Sequence, residues 1–149
     1  MNTIVNTVFR ETKMAIHIQK ITIIRTRSPP PTNVNDELQW LGGSLGLFNL
    51  RDRDRSCFRI FIELVKTGQQ ENMISSDDLA ARLNLTRGTV VHHLNKLLEA
   101  GIIINNRNRY ELRVGSLRAL IRELENDMKK TYEELYLVAE QLDQKLGLK

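Results

Sequence analysis

Between Ser75 and Leu146 the hydrophobic period changes twice, and few folds accommodate the resulting order of elements. Leu79, Ala80 and Leu83, then Val90, Leu94, Leu97 and Leu98, recur at the spacings of three and four that one helix face requires. Asn84 and Leu85 make the short turn between the two helices. After Gly101 the period falls to two. Ile102–Ile104 is a β-branched run, and Arg109 to Val114 alternates, with Tyr110, Leu112 and Val114 on one face and Arg109, Glu111 and Arg113 on the other. The polar stretch Asn105–Asn108 joins them, which predicts a β-hairpin. From Leu117 the period becomes that of a heptad: Leu117, Ile121, Leu124, Met128, Thr131, Leu135, Val138 and Leu142 alternate at spacings of four and three. The fold class is therefore mainly α with a small β-hairpin and a long C-terminal, coiled-coil-like helix.

Element ends are marked as well. Ser75 is a helix N-cap with Asp78 in the capping-box position, and that helix runs to about Leu83. Thr86 caps a helix over 87–100, which Gly101 ends. Gly115–Ser116 opens the last helix, which runs to about Leu146. At ~1.5 Å per residue it is on the order of 45 Å long. It outruns the core that precedes it, and a second copy of the chain is the simplest partner for its stripe.

Upstream, Leu38, Leu41, Leu45 and Phe48 form a short helical stripe beside Trp40, with Asp36 and Glu37 in its first turn and Gly42, Gly43 and Gly46 weakening it. A further helix is expected from near Asp52, with Phe58, Phe61, Ile62 and Val65 as its stripe, Cys57 and Ile60 flanking it, and Gly68 after its end. The alternating signs of Arg51–Asp52–Arg53–Asp54–Arg55 suit a self-compensated, solvated helix start. Residues 1–33 are a basic tail and linker: Pro29–Pro31 keep its end extended, and Ala15–Ile24 reads either as part of a mobile tail or as a strand.

Charge is unevenly placed. Residues 82–118 hold seven basic and two acidic side chains, whereas 33–81 hold five basic and eight acidic ones. A local positive footprint on a chain of net charge +4 points to a polyanion partner. Aromatic residues make up 5%, which disfavours base-stacking platforms and all-β architectures. One cysteine, Cys57, can form neither an internal disulfide nor a zinc site by itself, so a reducing cytoplasm is the expected setting. No apolar run approaches the ~20 residues of a membrane helix. No nucleophile elbow, phosphate-cradling glycine loop or zincin motif is present, so no enzyme activity and no cofactor are expected.

Helix, three-residue turn, helix and hairpin within about forty residues resembles a winged helix-turn-helix. The run from Ser75 to Leu94 is similar to the DNA-binding core of ArsR- and MarR-type regulators, and Leu97–Ile103 to their helix-to-wing junction. The last helix is similar to the dimerising helices of several archaeal and bacterial winged-helix regulators, and Glu37–Val65 has the look of an archaeal subgroup. The resemblance divides the chain into a tail (1–33), a winged-helix domain (34–115) and a dimerisation helix (116–149). It implies a dimeric, sequence-specific DNA-binding regulator, a repressor by occlusion. In that family a histidine at the place of His93 packs under the helix start.

The physics of groove recognition selects candidate contacts. A helix fits the major groove, and its first turns reach the bases. The outward residues are Thr86, Arg87, Gly88, Thr89, Val91, His92, Asn95 and Lys96. Arg87 can donate two bonds to guanine, Asn95 can pair with adenine, and Gly88 permits close approach of a phosphate. Arg107 and Arg109 of the wing suit the backbone or a narrow minor groove. The expected dimer seam is Leu117, Ile121, Leu124, Met128, Leu135, Val138 and Leu142. Two other readings stand beside this one: a winged-helix protein-interaction module of a transcription complex, and a non-specific architectural DNA binder. An effector pocket, if the chain senses a small molecule, would lie between the long helix and Trp40, Phe58 or Phe61.

Overall fold

A computed structural model describes residues 18–27, 33–48, 55–70 and 72–149. The first helix, α1 (Val34–Ser44), starts at Asn33, whose side chain accepts from Asp36 N at 2.8 Å. The second, α2, spans Ser56–Gln69. Then follow β1 (Ile74–Ser75), α3 (Ser76–Leu83), α4 (Arg87–Glu99), β2 (Ile103–Asn106), β3 (Arg109–Leu112) and α5 (Leu117–Leu146). The caps expected at Ser75 and Thr86 hold, and Ser116 caps the last helix. Ser75 accepts from Asp78 N at 3.1 Å, Thr86 from Thr89 N at 3.2 Å and Ser116 from Ala119 N at 3.1 Å. Gly101 takes φ +78°, a left-handed conformation that L side chains rarely adopt, which favours glycine at this junction.

α2 is the floor of the domain: it packs on α3, α4 and β3. Its buried apolar residues are Cys57, Ile60, Phe61 and Leu64, while Phe58, Ile62 and Val65 are only partly covered. The sequence stripe was therefore rotated, because a helix touching three elements buries a broader face than one amphipathic stripe predicts. The helix also begins at Ser56 rather than near Asp52, and Gly68 lies inside it. Residues 51–54 of the alternating charge run lie outside the described residues. Arg55, the residue before the helix, sits over the ring of Phe48 at 5.3 Å.

The hairpin is tighter than its polar stretch suggests. Asn105 pairs with Tyr110 and Asn106 with Arg109, so these asparagines belong to β2 and only Arg107 and Asn108 turn the chain. Both turn residues have positive φ, 52° and 64°, the signature of a two-residue type I′ turn. A third strand escaped the sequence reading. β1 has two residues, too few for a period, yet Ile74 pairs with Tyr110 and gives the sheet the order β1-β3-β2.

Residues 18–27 form an extended segment, which we call the strap. It is not a strand of the sheet, and within its described part it is not a free tail. Lys20 N donates to Glu99 O at 2.9 Å and Ile24 N to Ser44 O at 2.7 Å. The strap thus ties the end of α1 to the end of α4.

Only the first three turns of α5 meet the domain. Leu120 and Leu124 are buried there, and Leu117 is partly covered. Leu124, expected in the dimer seam, is therefore a core residue of its own domain, and Leu120, which was not expected to be buried, faces the core one turn earlier. Every residue from Lys129 onward is exposed. No helix among the described residues is long and apolar enough to cross a membrane.

Candidate nucleic-acid interface

α4 has two unlike faces. Val90, His93, Leu94 and Leu97 are buried against α2 and α3. Arg87, Gly88, His92, Asn95 and Lys96 are exposed on the other side, with Thr86 just ahead of them and Thr89 and Val91 at the half-buried margins. This division follows from the helical period: positions 90, 94 and 97 share one side, and 88, 92, 95 and 96 fall away from it.

The start of α4 is held rigidly. Asn84 adopts a left-handed conformation (φ 54°, ψ 49°) that closes α3, while Arg59 donates to Leu83 O at 2.5 Å from α2. Thr86 accepts from Thr89 N and donates its hydroxyl proton to Thr89 Oγ1 at 2.8 Å. Both hydroxyls are thus engaged in the cap. Arg87 lies 3.5 Å from Asp77, both largely exposed, an ion pair worth at most about 1 kcal/mol and easily exchanged for another anion.

His92 and His93 have ring centroids 5.2 Å apart and tilted by 60°, one exposed and one buried. Their different environments suit different roles, and His93 belongs to the packed face. Among the described residues, no three His, Cys, Asp or Glu side chains converge to hold a metal ion. Cys57 is buried. Phe61 is wholly buried, and Phe58 stacks on Phe48 at 4.7 Å, so both rings serve the core.

The wing places Arg107 at the turn and Arg109 beside it, both exposed. Arg113 behaves differently from its expected outward neighbours. It binds Asp127 of α5 at 2.6 Å and Glu123 at 3.3 Å, and Gln19 of the strap also donates to Asp127 at 2.9 Å. The wing base, the long helix and the strap are joined at this one carboxylate. Nothing local signals it in the sequence, because the partners are 14 and 108 residues from Asp127. The hydrogen bond from Arg113 holds the Asp127 carboxyl below the usual carboxylate range, against the opposing effect of burial.

Asp127→Asn should therefore lower stability by about 1–2 kcal/mol at neutral pH, the range of a partly screened charge-assisted pair. A carboxylate with a lowered pKa contributes fully above its unfolded-state value and loses that contribution as pH falls through the lowered one. The stability gap between the parent protein and the variant should then be constant from about pH 5 to 8 and close below about pH 4. Urea titrations at several pH values test this. A gap that persisted at pH 2–3 would locate the effect in packing instead.

The comparisons agree with this geometry. Residues 70–105 match the family model of the bacterial regulatory protein, arsR family. This span takes in β1, α3, α4 and most of β2. No curated protein and no solved structure matches the chain. The capped α3–α4 pair and the three-stranded wing sheet form a winged helix-turn-helix, and the match over residues 70–105 supports a DNA-binding transcription regulator of the ArsR type.

Proposed function

We propose that this regulator is a sequence-specific, dimeric repressor that lays α4 in the major groove and its wing turn on the backbone or minor groove. The observation that carries this reading is the exposed row Arg87, Gly88, His92, Asn95 and Lys96 on a helix whose opposite face is locked in the core. A rigid helix presenting donors along one side is what base readout needs.

Two residues in this surface have no internal reason to be what they are. A Cβ on Gly88 would meet nothing within 4 Å, and glycine near a helix start stabilises less than alanine by up to about 1 kcal/mol. Close approach of a phosphate to the backbone accounts for it. Arg107 holds φ 52° at the wing tip, where glycine or asparagine is cheaper. A use for its guanidinium outside the domain accounts for that cost. Gly88→Ala should accordingly raise the melting temperature slightly and weaken DNA binding. A variant that bound DNA as tightly as the parent would remove the close-approach argument.

The reading is tested by fluorescence anisotropy against genomic fragments at two salt concentrations, with random duplex as competitor. A fragment retained under competition supports a sequence-specific regulator. Weak, steeply salt-dependent binding without preference would mark an architectural protein. Once an operator is found, Arg87→Ala should cost about 1–3 kcal/mol there and relax specificity at one base pair. An equal loss on all sequences would make Arg87 a phosphate contact.

Dimerisation is assigned to the free part of α5. Tyr132, Leu135, Tyr136, Leu137, Val138, Leu142 and Leu146 are each 48–73% exposed. Such a run on a projecting helix is the mark of an interaction surface. Repression follows from occupancy of a promoter by the dimer.

A further inference from the structure

We infer that the α5 helices of two copies pair antiparallel in one register, with Leu135 of each set against Ala139 of the other. This inference rests on the dimer reading above and fixes its geometry. Burial of Leu120 and Leu124 in the domain leaves an unbroken 4-3 repeat that starts at the half-buried Met128 and continues along the projecting part through Tyr132, Leu135, Ala139, Leu142 and Leu146. The seam expected from sequence, Leu117 to Leu142, loses Leu124 to the domain core and is interrupted by Thr131; this repeat has neither defect.

The flanks of the repeat decide the direction. On one side lie Lys129, Tyr136 and Asp143; on the other lie Thr131, Val138 and Lys145. Apolar flanks occur only at the midpoint, with hydrophilic residues at both ends. In a parallel pair, each flank meets the opposite flank of its partner about five residues on. Val138 would then face the partner's Asp143, and Ala139 would face the partner's Ala139 across a void. In an antiparallel pair each flank meets the same flank reversed. Tyr136 meets the partner's Tyr136, Val138 meets the partner's Val138, and Lys129 meets the partner's Asp143. The core layers become Met128 on Leu146, Tyr132 on Leu142 and Leu135 on Ala139, each occurring twice. Every large side chain but one pair faces another large one, and the small alanine is filled by leucine.

Lys129 now pairs with Glu125 of its own helix at 3.1 Å, both exposed, and such a pair exchanges readily. The pairing also sets the domains apart. Leu124, the last buried residue of α5, would lie roughly 40 Å along the axis from its counterpart at ~1.5 Å per residue. That is comparable to the ~34–36 Å between half-sites one DNA turn apart.

Cysteine crosslinking of the full-length protein tests the register. Tyr132→Cys and Leu142→Cys are made separately, both at exposed positions outside the domain core, and Cys57 is too buried to interfere. In the antiparallel register, two copies of either position are about 15 Å apart along the axis, beyond disulfide reach. Each variant alone should stay uncrosslinked under mild oxidation, and an equimolar mixture, after subunit exchange, should give a disulfide dimer joining one of each. Self-crosslinking of Leu142→Cys alone would establish a parallel pair and overturn the inference while leaving the dimer reading intact. A monomer in sedimentation of the parent protein would overturn both.

Discussion

Leu135→Asp combined with Leu142→Asp is expected to turn the protein into a folded monomer that has lost most of its affinity for operator DNA. The two leucines are 56% and 48% exposed and lie outside the core, so the winged helix should keep its circular dichroism and melting temperature. Burying four added carboxylates at a helix–helix seam is strongly unfavourable, because a charge removed from water needs a partner there. The consequence for DNA follows from linkage of two sites. A dimer holds its second recognition helix at high effective concentration once the first has bound, an advantage of about 10²–10⁴ in affinity. Sedimentation and anisotropy should therefore change together. A variant that remained dimeric would move the interface elsewhere, and a monomer with undiminished operator affinity would show that one α4 suffices.

Phe61→Ala is expected to be the most damaging single substitution in the core. Phe61 is wholly buried at the centre of α2, the helix that supports α3, α4 and β3 together. Truncating a buried phenylalanine costs about 3–5 kcal/mol, through lost burial and the cavity left behind. A small domain has only about 5–15 kcal/mol in total. The melting temperature should fall by roughly 10–20 °C, and DNA binding should fail with the fold rather than through lost contacts. The comparison with Arg87→Ala separates the two causes: that variant should melt like the parent and still lose its operator. A loss below about 1 kcal/mol for Phe61→Ala would mean that the core closes around the gap.

The architecture was largely legible because its signals are local. Ser75 and Thr86 each cap the helix they were expected to cap, and the last helix opens at Ser116 as expected, since a cap depends on a side chain and a backbone amide three residues away. The outward row of α4 could be read for a similar reason: its buried side is spelled by Val90, Leu94 and Leu97 at helical spacing. Where a buried face answers to several neighbours, the pattern was less faithful. Leu64 and Ile60 of α2 and Leu120 of α5 are covered by elements distant in sequence, and no single stripe describes them.

By itself, the sequence determined the order of elements, the capped helix pair, the wing and the excess length of the last helix, all properties of residues within about four positions of one another. Only the tertiary structure decided where α5 stops belonging to its domain and becomes free. Burial of Leu120 and Leu124 shifts the available seam to Met128, Tyr132, Leu135, Ala139, Leu142 and Leu146. It also decided the strap and the junction at Asp127, where Gln19 and Arg113 converge from opposite ends of the chain. Such contacts join residues far apart along the chain, and no periodicity encodes a meeting that depends on how the whole domain has packed.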